Sequence, residues 1–458
     1  MFIVNWGEII GRLDPSSFKK TSVFESQIFE MSRLGKVVEI NPTITYPSTS
    51  PEMDISFVPM ELIDENLGEI KTTLTKKLKE NKGYTKFQEN DLLWAKITPC
   101  MQNGKSAIAQ NLINGFGCGS TEFYIVRPKT DNILIKYIHF ILRDNRVLKN
   151  AENFFGGSAG QQRVSKDFLK HLLIPVPPLF IQQQVVDIME AAYSKKQQKE
   201  KEAEELLGNV NSYLLDELDI VMPLGNEITI ENKMFYVGAN DVIGSRFDPF
   251  YHKQIFINIQ KSLDNGKYNT EKMSRFISHI TYGASVDNCY VENGIPLLRI
   301  KDLKPNEIDS EKIVYLPYEM EKQLKTSRVK KGEILISRSG TIGICSVVHE
   351  KYDGFAFGSF MIKFSVEEID KNYLCYVLNS NIGKMYFERN RIGTIQGNIT
   401  IPTIKNIVIP VPPIEKQQEI AFQITKIRKN ANDLKMQADE IVAKAKAEVE
   451  SILLGDCL

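Results

Sequence analysis

Cysteine is sparse and unpaired in this chain: six residues in 458, at 100, 118, 289, 345, 375 and 457, with no Cys-x-x-Cys and no histidine-rich neighbourhood. That pattern argues against a zinc site and a disulfide framework, and it fits reduced thiols in the cytosol. Histidine is equally thin. The five residues at 139, 171, 252, 279 and 349 stand near no Cys or Ser in a nucleophilic arrangement, so each reads as a surface or core residue. No apolar window approaches the roughly 20 residues of a membrane span. The opening Met1-Phe2-Ile3-Val4-Asn5-Trp6 has neither a basic n-region nor a long apolar run, so no signal peptide is expected.

Charge of one sign is also missing. There are 57 Lys+Arg and 57 Asp+Glu, a formal net of zero. The distribution is less even, because residues 179–222 carry 4 basic against 9 acidic and residues 414–458 carry 7 against 8. The rest holds 46 basic against 40 acidic, a mild excess. Phosphate contact needs a local basic face rather than a basic total, so the count neither supports nor excludes nucleic acid. With 42% hydrophobic and 25% charged residues, the composition is that of an ordinary globular protein with length for two to four domains.

Cofactor loops are absent as well. Gly104-Lys105-Ser106 resembles the end of a phosphate loop, but Pro99 stands where that loop needs its first Gly. Proline removes both the flexibility and an amide donor. Asp248-Pro249-Phe250-Tyr251 resembles the Asp-Pro-Pro-Tyr motif of DNA amino-methyltransferases with one proline missing, and a turn or helix start is the expected role. No Gly-rich turn follows a strand as a methyl-donor site requires. The chain reads as a binder rather than a catalyst.

What is present is a duplication. Ile174-Pro175-Val176-Pro177-Pro178 recurs as Ile409-Pro410-Val411-Pro412-Pro413, each followed by a Gln pair, Gln182-Gln183 and Gln417-Gln418. Gln161, Val164, Ser165, Leu169, Lys170 and Leu172 answer Gln396, Ile399, Thr400, Ile404, Lys405 and Ile407, while Arg12-Leu13-Asp14-Pro15 answers Arg246-Phe247-Asp248-Pro249. The spacing of 235 residues far exceeds the roughly 20–50 of a solenoid repeat. It describes two whole domains.

Each copy reads as a mixed α/β (α+β) globule followed by one long helix. Segments 56–60, 91–97 and 123–126, and their counterparts 296–300, 333–337 and 360–364, are short, β-branched or aromatic, and bounded by Gly, Pro or Asn, as strands are. A helix is expected over residues 134–148, matched by 369–379. The Pro-x-Pro-Pro cluster forces an extended entry, and a helix of about 40 residues, roughly 60 Å, begins after it. In the second copy Ile424, Ile427, Ala431, Leu434, Ala438, Ile441, Ala445 and Ile452 make a near-complete heptad seam. In the first, Met189, Ala192, Ala203, Leu206, Val210 and Tyr213 keep the register but Lys196 and Lys199 fall on the seam. Helices this long are marginal alone, which favours pairing with each other; the alternative is that each folds onto its own globule. The expected divisions are 1–178, 179–222, 223–413 and 414–458, with the two helices paired as a coiled coil.

A globule ending in Ile-Pro-Val-Pro-Pro, then x3-Gln-Gln and a long helix, the whole given twice, resembles the DNA-specificity subunit of type I restriction–modification enzymes. Ser56-Phe57-Val58-Pro59-Met60-Glu61, the Gly157 to Val164 segment and Ser337-Arg338-Ser339-Gly340-Thr341-Ile342-Gly343 add to the match. The resemblance implies two target-recognition domains, each reading half of a bipartite site on double-stranded DNA, with the long helices paired antiparallel as a ruler between them. It implies no catalysis, metal or cofactor in this chain. Two modification subunits would bring S-adenosylmethionine, and restriction subunits ATP and Mg, in the cytoplasm and away from membranes. Candidate DNA contacts are Lys76, Lys77, Lys79 and Lys82; Gln161, Gln162 and Arg163; Arg338 and Ser339; Arg389 and Arg391; Gln396 and Asn398. Such side chains bond phosphates or base edges, although a solvated basic loop explains the lysines equally well. A two-domain coiled-coil scaffold that binds proteins, and a fused methyltransferase–specificity enzyme, are the rival readings.

Overall fold

The computed structural model describes residues 23–46, 51–157, 161–223, 236–243, 246–286, 289–310, 312–393 and 397–455. The Arg12 to Pro15 motif, Gln396 and Cys457 lie outside those residues. The chain divides into two compact units, Met1–Glu200 with Lys435–Leu458, and Lys201–Leu434. Each unit therefore holds one globule and a part of both long helices.

The first unit contains β1 (Met31–Arg33), β2 (Val38–Ile40), β3 (Asp54–Val58), β4 (Leu74–Lys77), β5 (Thr85–Gln88), β6 (Leu92–Ala95), β7 (Ser106–Ile108), β8 (Phe116–Gly119), β9 (Phe123–Pro128) and β10 (Leu173–Pro175). One antiparallel sheet runs β2-β9-β6-β7 and a second, mixed sheet runs β4-β3-β8-β5. All four residues of β6 are buried. A strand with an unbroken apolar run is covered on both faces, and the alternation sorts its side chains accordingly. Leu92 and Trp94 join the core under the helices, while Leu93 joins the core shared with the second sheet.

The expected helix over 134–148 is two helices, α1 (Ile135–Leu142) and α2 (Asn145–Glu152). The Asp144 carboxylate accepts from the Arg146 amide and caps a new start, so the first helix ends at Arg143. Next come α3 (Lys166–His171) and the long α4 (Leu179–Glu217).

The second unit repeats this plan with β11 (Thr270–Lys272), β12 (Ile277–Tyr282), β13 (Ile295–Leu298), β14 (Val314–Leu316), β15 (Ile334–Ser337), β16 (Cys345–Val347), β17 (Ala356–Phe357), β18 (Met361–Val366) and β19 (Val408–Pro410). Its antiparallel sheet is β12-β18-β15-β16 and its mixed sheet β14-β13-β17. In β15, Ile334 and Ile336 face the helical core and Leu335 the inter-sheet core. Its helices include α5 (Glu321–Leu324), α6 (Lys371–Asn379), α7 (Asn381–Asn390) and the long α8 (Ile414–Leu454). The strand expected over 296–300 stops at Leu298, because Ile300–Asp302 form a 3-10 turn in which Asp302 bonds the Arg299 amide.

The repeated motif is a lock between globule and helix. In the first unit β10 pairs antiparallel with β1, and Tyr137 Oη donates to Pro175 O at 2.8 Å. Gln182 is fully buried; its amide nitrogen donates to Pro177 O (2.9 Å) and Asn132 O (3.0 Å), and its oxygen accepts from Leu134 N (2.8 Å). In the second unit β19 pairs with β11, Tyr373 Oη donates to Pro410 O (2.9 Å), and Gln417 donates to Pro412 O (2.8 Å) and accepts from Asp370 N (2.9 Å). Proline carbonyls at a helix start have no intrahelical donor nearby, and the first glutamine of each pair supplies one.

The long helices run antiparallel within each unit. In the first, Met189 and Ala192 pack on Val442 and Ala445, Lys196 pairs with Asp439, and Lys199 Nζ donates to Gln437 Oε1 at 2.8 Å. The two seam lysines thus contribute polar contacts that fix the register. In the second unit, Glu217 pairs with Lys416 at 2.7 Å. Leu214 and Leu218 share a core with Ile420, Ala421 and Ile424. The two expected modes are combined, since Val185, Val186 and Leu453 belong to the first globule's core while the helices also meet each other. Ile424, Ala431, Ala438 and Ala445 are buried as the heptad predicts, whereas Leu206, Val210, Ile427, Leu434 and Ile441 are only half-buried. Towards the end the buried positions become Val442 and Leu453, one residue past Ile441 and Ile452. A 3.6-residue turn drifts against a seven-residue repeat, and the last turns face the globule rather than a helix alone.

Candidate nucleic-acid interface

Strand alternation separates the lysines that the sequence groups together. Lys77 stands opposite Asp54 and pairs with it at 2.8 Å, and Lys79 pairs with Glu52 at 2.6 Å. Those two charges are answered locally. Lys76 points the other way: it stands opposite Ile55 in register, with its Nζ 4.7 Å from the Phe57 ring centroid and 4.9 Å from that of Tyr84. Lys86 stands opposite Cys118, and Cys118 opposite Phe57, so Lys86 shares that face and lies 5.8 Å from the Tyr46 ring. Burial pushes the Cys118 thiol up to about 11, against the pull of both lysines. Lys82 is exposed in the turn before β5. Phe57 and Tyr46 are the partners that sequence reasoning missed. The signal available was aromatic and basic residues at alternate strand positions, as in Tyr84-Thr85-Lys86.

The second candidate group of the first unit begins at Gln161. Thr98 N donates to Gln162 O (2.9 Å), Gln162 N donates to Thr98 Oγ1 (3.2 Å), and Val164 N donates to Lys96 O (2.9 Å). Arg163 makes a two-bond pair with Glu122 at 2.9 and 2.8 Å, which holds the Glu122 carboxyl below its usual range. The Arg163 charge is therefore largely answered, while the Gln161 side chain and the half-buried Gln162 rim the same strand end.

The second unit has the equivalent junction with different side chains. Ile399 N donates to Arg338 O at 2.9 Å, as Val164 does to Lys96, and Ser339 and Ile392 both bridge to Asn398. Arg338 lies 4.8 Å from the Tyr282 ring, with its Nε buried and unpartnered among the described residues. Arg389 lies 4.3 Å from the Tyr251 ring and donates to Tyr251 O, and Arg391 pairs with Glu388 at 3.3 Å and lies over Phe250. Arg246 Nη1 donates to Arg391 O, and its Nε to Asp248 at 2.7 Å. Arg338, Ser339, Arg389, Arg391 and Asn398 thus form one arginine–aromatic neighbourhood. Beside it, an open cleft of about 440 Å³ is lined by Lys301, Lys304, Ser339, Gly340, Thr341 and Phe360. Tyr251, Tyr282 and Arg246, absent from the sequence candidates, complete the patch because distant segments bring them there.

The near-motifs take structural roles. Ser106 opens a strand rather than a helix and bonds Gly104 O and His139 Nε2, while Lys105 Nζ reaches Met60 O. Asp248 accepts from Tyr251 N at 2.9 Å and caps a turn. His139 is buried, which with Arg143 nearby lowers it to about 3. Among the described residues no group of three His, Cys, Asp or Glu could hold a metal ion, and no helix is long and apolar enough to cross a membrane.

Known proteins bear on this arrangement. Residues 27–207 and 284–442 match the family described as type I restriction modification DNA specificity domain. The specificity subunit of the type I restriction enzyme EcoAI of Escherichia coli is 40% identical over 159 residues, 34% of this chain and 27% of that one. The chain thus spans about a quarter of the length of that relative. The MjaVIII specificity subunit of Methanocaldococcus jannaschii is 26% identical over 322 residues, 67% of this chain and 68% of that one. A chain solved in work on complex assembly and conformational transition of the type I R-M system superposes with a TM-score of 0.52 at 18% identity, covering 93% of this chain and 96% of that one. That last likeness is one of fold. Two copies of a sandwiched sheet, each locked to a long helix by the same buried glutamine, and a family match over both copies lead to one conclusion: the chain belongs to the type I restriction–modification DNA specificity family.

Proposed function

We propose that this chain is the non-catalytic specificity subunit of a type I restriction–modification complex and recognises a bipartite site on double-stranded DNA. Residues 1–178 and 223–413 would each read one half-site, with 179–222 and 414–458 as the spacer helices. Supporting this, the two units share strand order and lock but differ on their outward faces, so one scaffold presents two recognition surfaces. Joining two readers makes engagement of the second half-site intramolecular. A helix of roughly 60 Å is comparable with one to two turns of duplex at about 34 Å per turn. Adenine methylation would come from two modification subunits carrying S-adenosylmethionine. Cleavage would come from ATP- and Mg-dependent restriction subunits in the cytoplasm.

The proposed contacts are Lys76 and Lys82 in the first unit with Gln161 and Gln162, and Arg338, Ser339, Arg389, Arg391, Gln396 and Asn398 in the second. Lys77, Lys79 and Arg163 are weaker contributors because Asp54, Glu52 and Glu122 already hold them. Selection from a random duplex pool, with a modification subunit present, tests the reading. It should enrich two short fixed sequences at constant separation. A coiled-coil scaffold for proteins would enrich none, and stoichiometric binding of S-adenosylmethionine by the chain alone would favour a fused enzyme.

A further inference from the structure

We propose that the outward face of the β4-β3-β8-β5 sheet is a phosphate clamp for one half-site of the DNA, with Lys76 and Lys86 each taking a backbone phosphate, and that the second unit has no equivalent. The inference rests on the reading of the chain as a DNA-binding subunit and goes further, assigning unequal backbone contributions to the two units.

The face is defined by register. Leu74, Phe57, Cys118 and Lys86 lie in one row across the sheet, and Lys76 lies in the adjacent row on the same side. The opposite side, with Val58 and Phe87, is the inter-sheet core. Among the described residues neither Lys76 nor Lys86 is ion-paired, whereas Lys77 and Lys79, beside them in sequence, are. The two ammonium groups are close enough to Cys118 for both to act on its thiol. The Phe57 and Tyr84 rings touch edge to face, with the Lys76 ammonium over both, so part of its side-chain freedom is already lost before binding. Leu74 and Tyr84 are 50% and 36% exposed at the margin, an apolar rim suited to a sugar beside the phosphates. An unpaired, pre-positioned cation pair is complementary to a polyanion.

The corresponding face of the second unit is closed. Ile295 and Leu297 occupy the places of Ile55 and Phe57, and they form a core with Leu316, Ala356 and Leu324 of α5, with Met320 and Val314 packed around it. No lysine can project there without breaking that core. The same scaffold thus carries two unpaired lysines on this face in one copy and a covered apolar face in the other.

The test uses the chain assembled with its modification subunit. Affinity for the selected duplex is measured against salt for the wild type, for K76Q/K86Q and for the charge-retaining K76R/K86R. Each phosphate contact contributes about 0.9 to the slope of log affinity on log salt, so K76Q/K86Q should lower the slope by about 1.8 and the arginine variant should restore it. Methylphosphonates scanned along the duplex should lose their effect in K76Q/K86Q at one half-site only. An unchanged slope in a K76Q/K86Q complex that still selects the same sequence overturns the clamp and leaves the DNA reading standing. Loss of effect at both half-sites also overturns it, as does loss of the modification subunit, which would make the face a protein-docking surface. A wild-type complex that binds no DNA overturns both readings.

Discussion

Replacing Gln182 by leucine isolates what the repeated Gln-Gln motif does. The side chain is fully buried and makes three hydrogen bonds, to Leu134 N, Asn132 O and Pro177 O. Leucine fills similar space and bonds none of them. Asn132 is exposed, so its carbonyl turns to water at little cost. Pro177 O and Leu134 N are covered, and each buried group left unpaired costs about 1–3 kcal/mol. Leucine returns on the order of 1 kcal/mol through apolar burial, which leaves a net loss of about 3 kcal/mol. Gln417→Leu breaks two bonds, to Asp370 N and Pro412 O, and by the same reasoning should also cost about 3 kcal/mol. The neighbouring glutamines are internal controls. Gln183 is exposed and donates only to Asp187 one turn away, a contact worth about 0.2–0.5 kcal/mol, and Gln418 is exposed too. Urea unfolding gives the totals, and hydrogen exchange at the Leu134 and Asp370 amides reports the local opening. If Gln182→Leu and Gln183→Leu are equally mild, the lock is not what holds the helix to its globule.

Other outcomes follow from the same geometry. Ala438→Glu should cost several kcal/mol in urea unfolding, since it buries an unpaired charge, and Leu434→Glu, at a half-buried position, should cost distinctly less. Because burial and Arg143 lower His139 to about 3 in the folded state, the unfolded chain takes up that proton first as pH falls. Stability from this group is therefore whole above about pH 6.5 and is lost towards pH 3, at about 1.4 kcal/mol per pH unit. His139→Gln should flatten urea midpoints compared at pH 7 and pH 5. Exchanging residues 1–178 for the equivalent domain of another family member should change one selected half-site and leave the other, and a change in both would show the halves to be coupled.

The duplication, the fold class and the extent of the long helices were legible in the sequence because they rest on local rules. Proline fixes φ wherever it stands, an apolar seam repeats with the helix, and a four-residue apolar run such as Leu92–Ala95 needs cover on both sides. The buried glutamines were visible as a motif but not as a lock, since their partners, Leu134 and Asp370, lie nearly 50 residues away. The break at Asp144 is also written locally, in a capping aspartate that interrupts the apolar pattern around it.

The candidate site was legible only as residue types. Lys76, Lys77 and Lys79 are alike in sequence; only the pairing of β4 with β3 gives Lys77 to Asp54 and Lys76 to two aromatic rings. Arg163 is bound to Glu122, 41 positions away, and the arginines of the second unit gather around Tyr251 and Tyr282 from separate segments. By itself the sequence determined that there are two copies of one scaffold, because that information is carried by residues near one another in the chain. Which charges are answered and which stay free was decided by the tertiary structure, because the neutralising carboxylates and stacking rings come from strands that meet only when the sheets form.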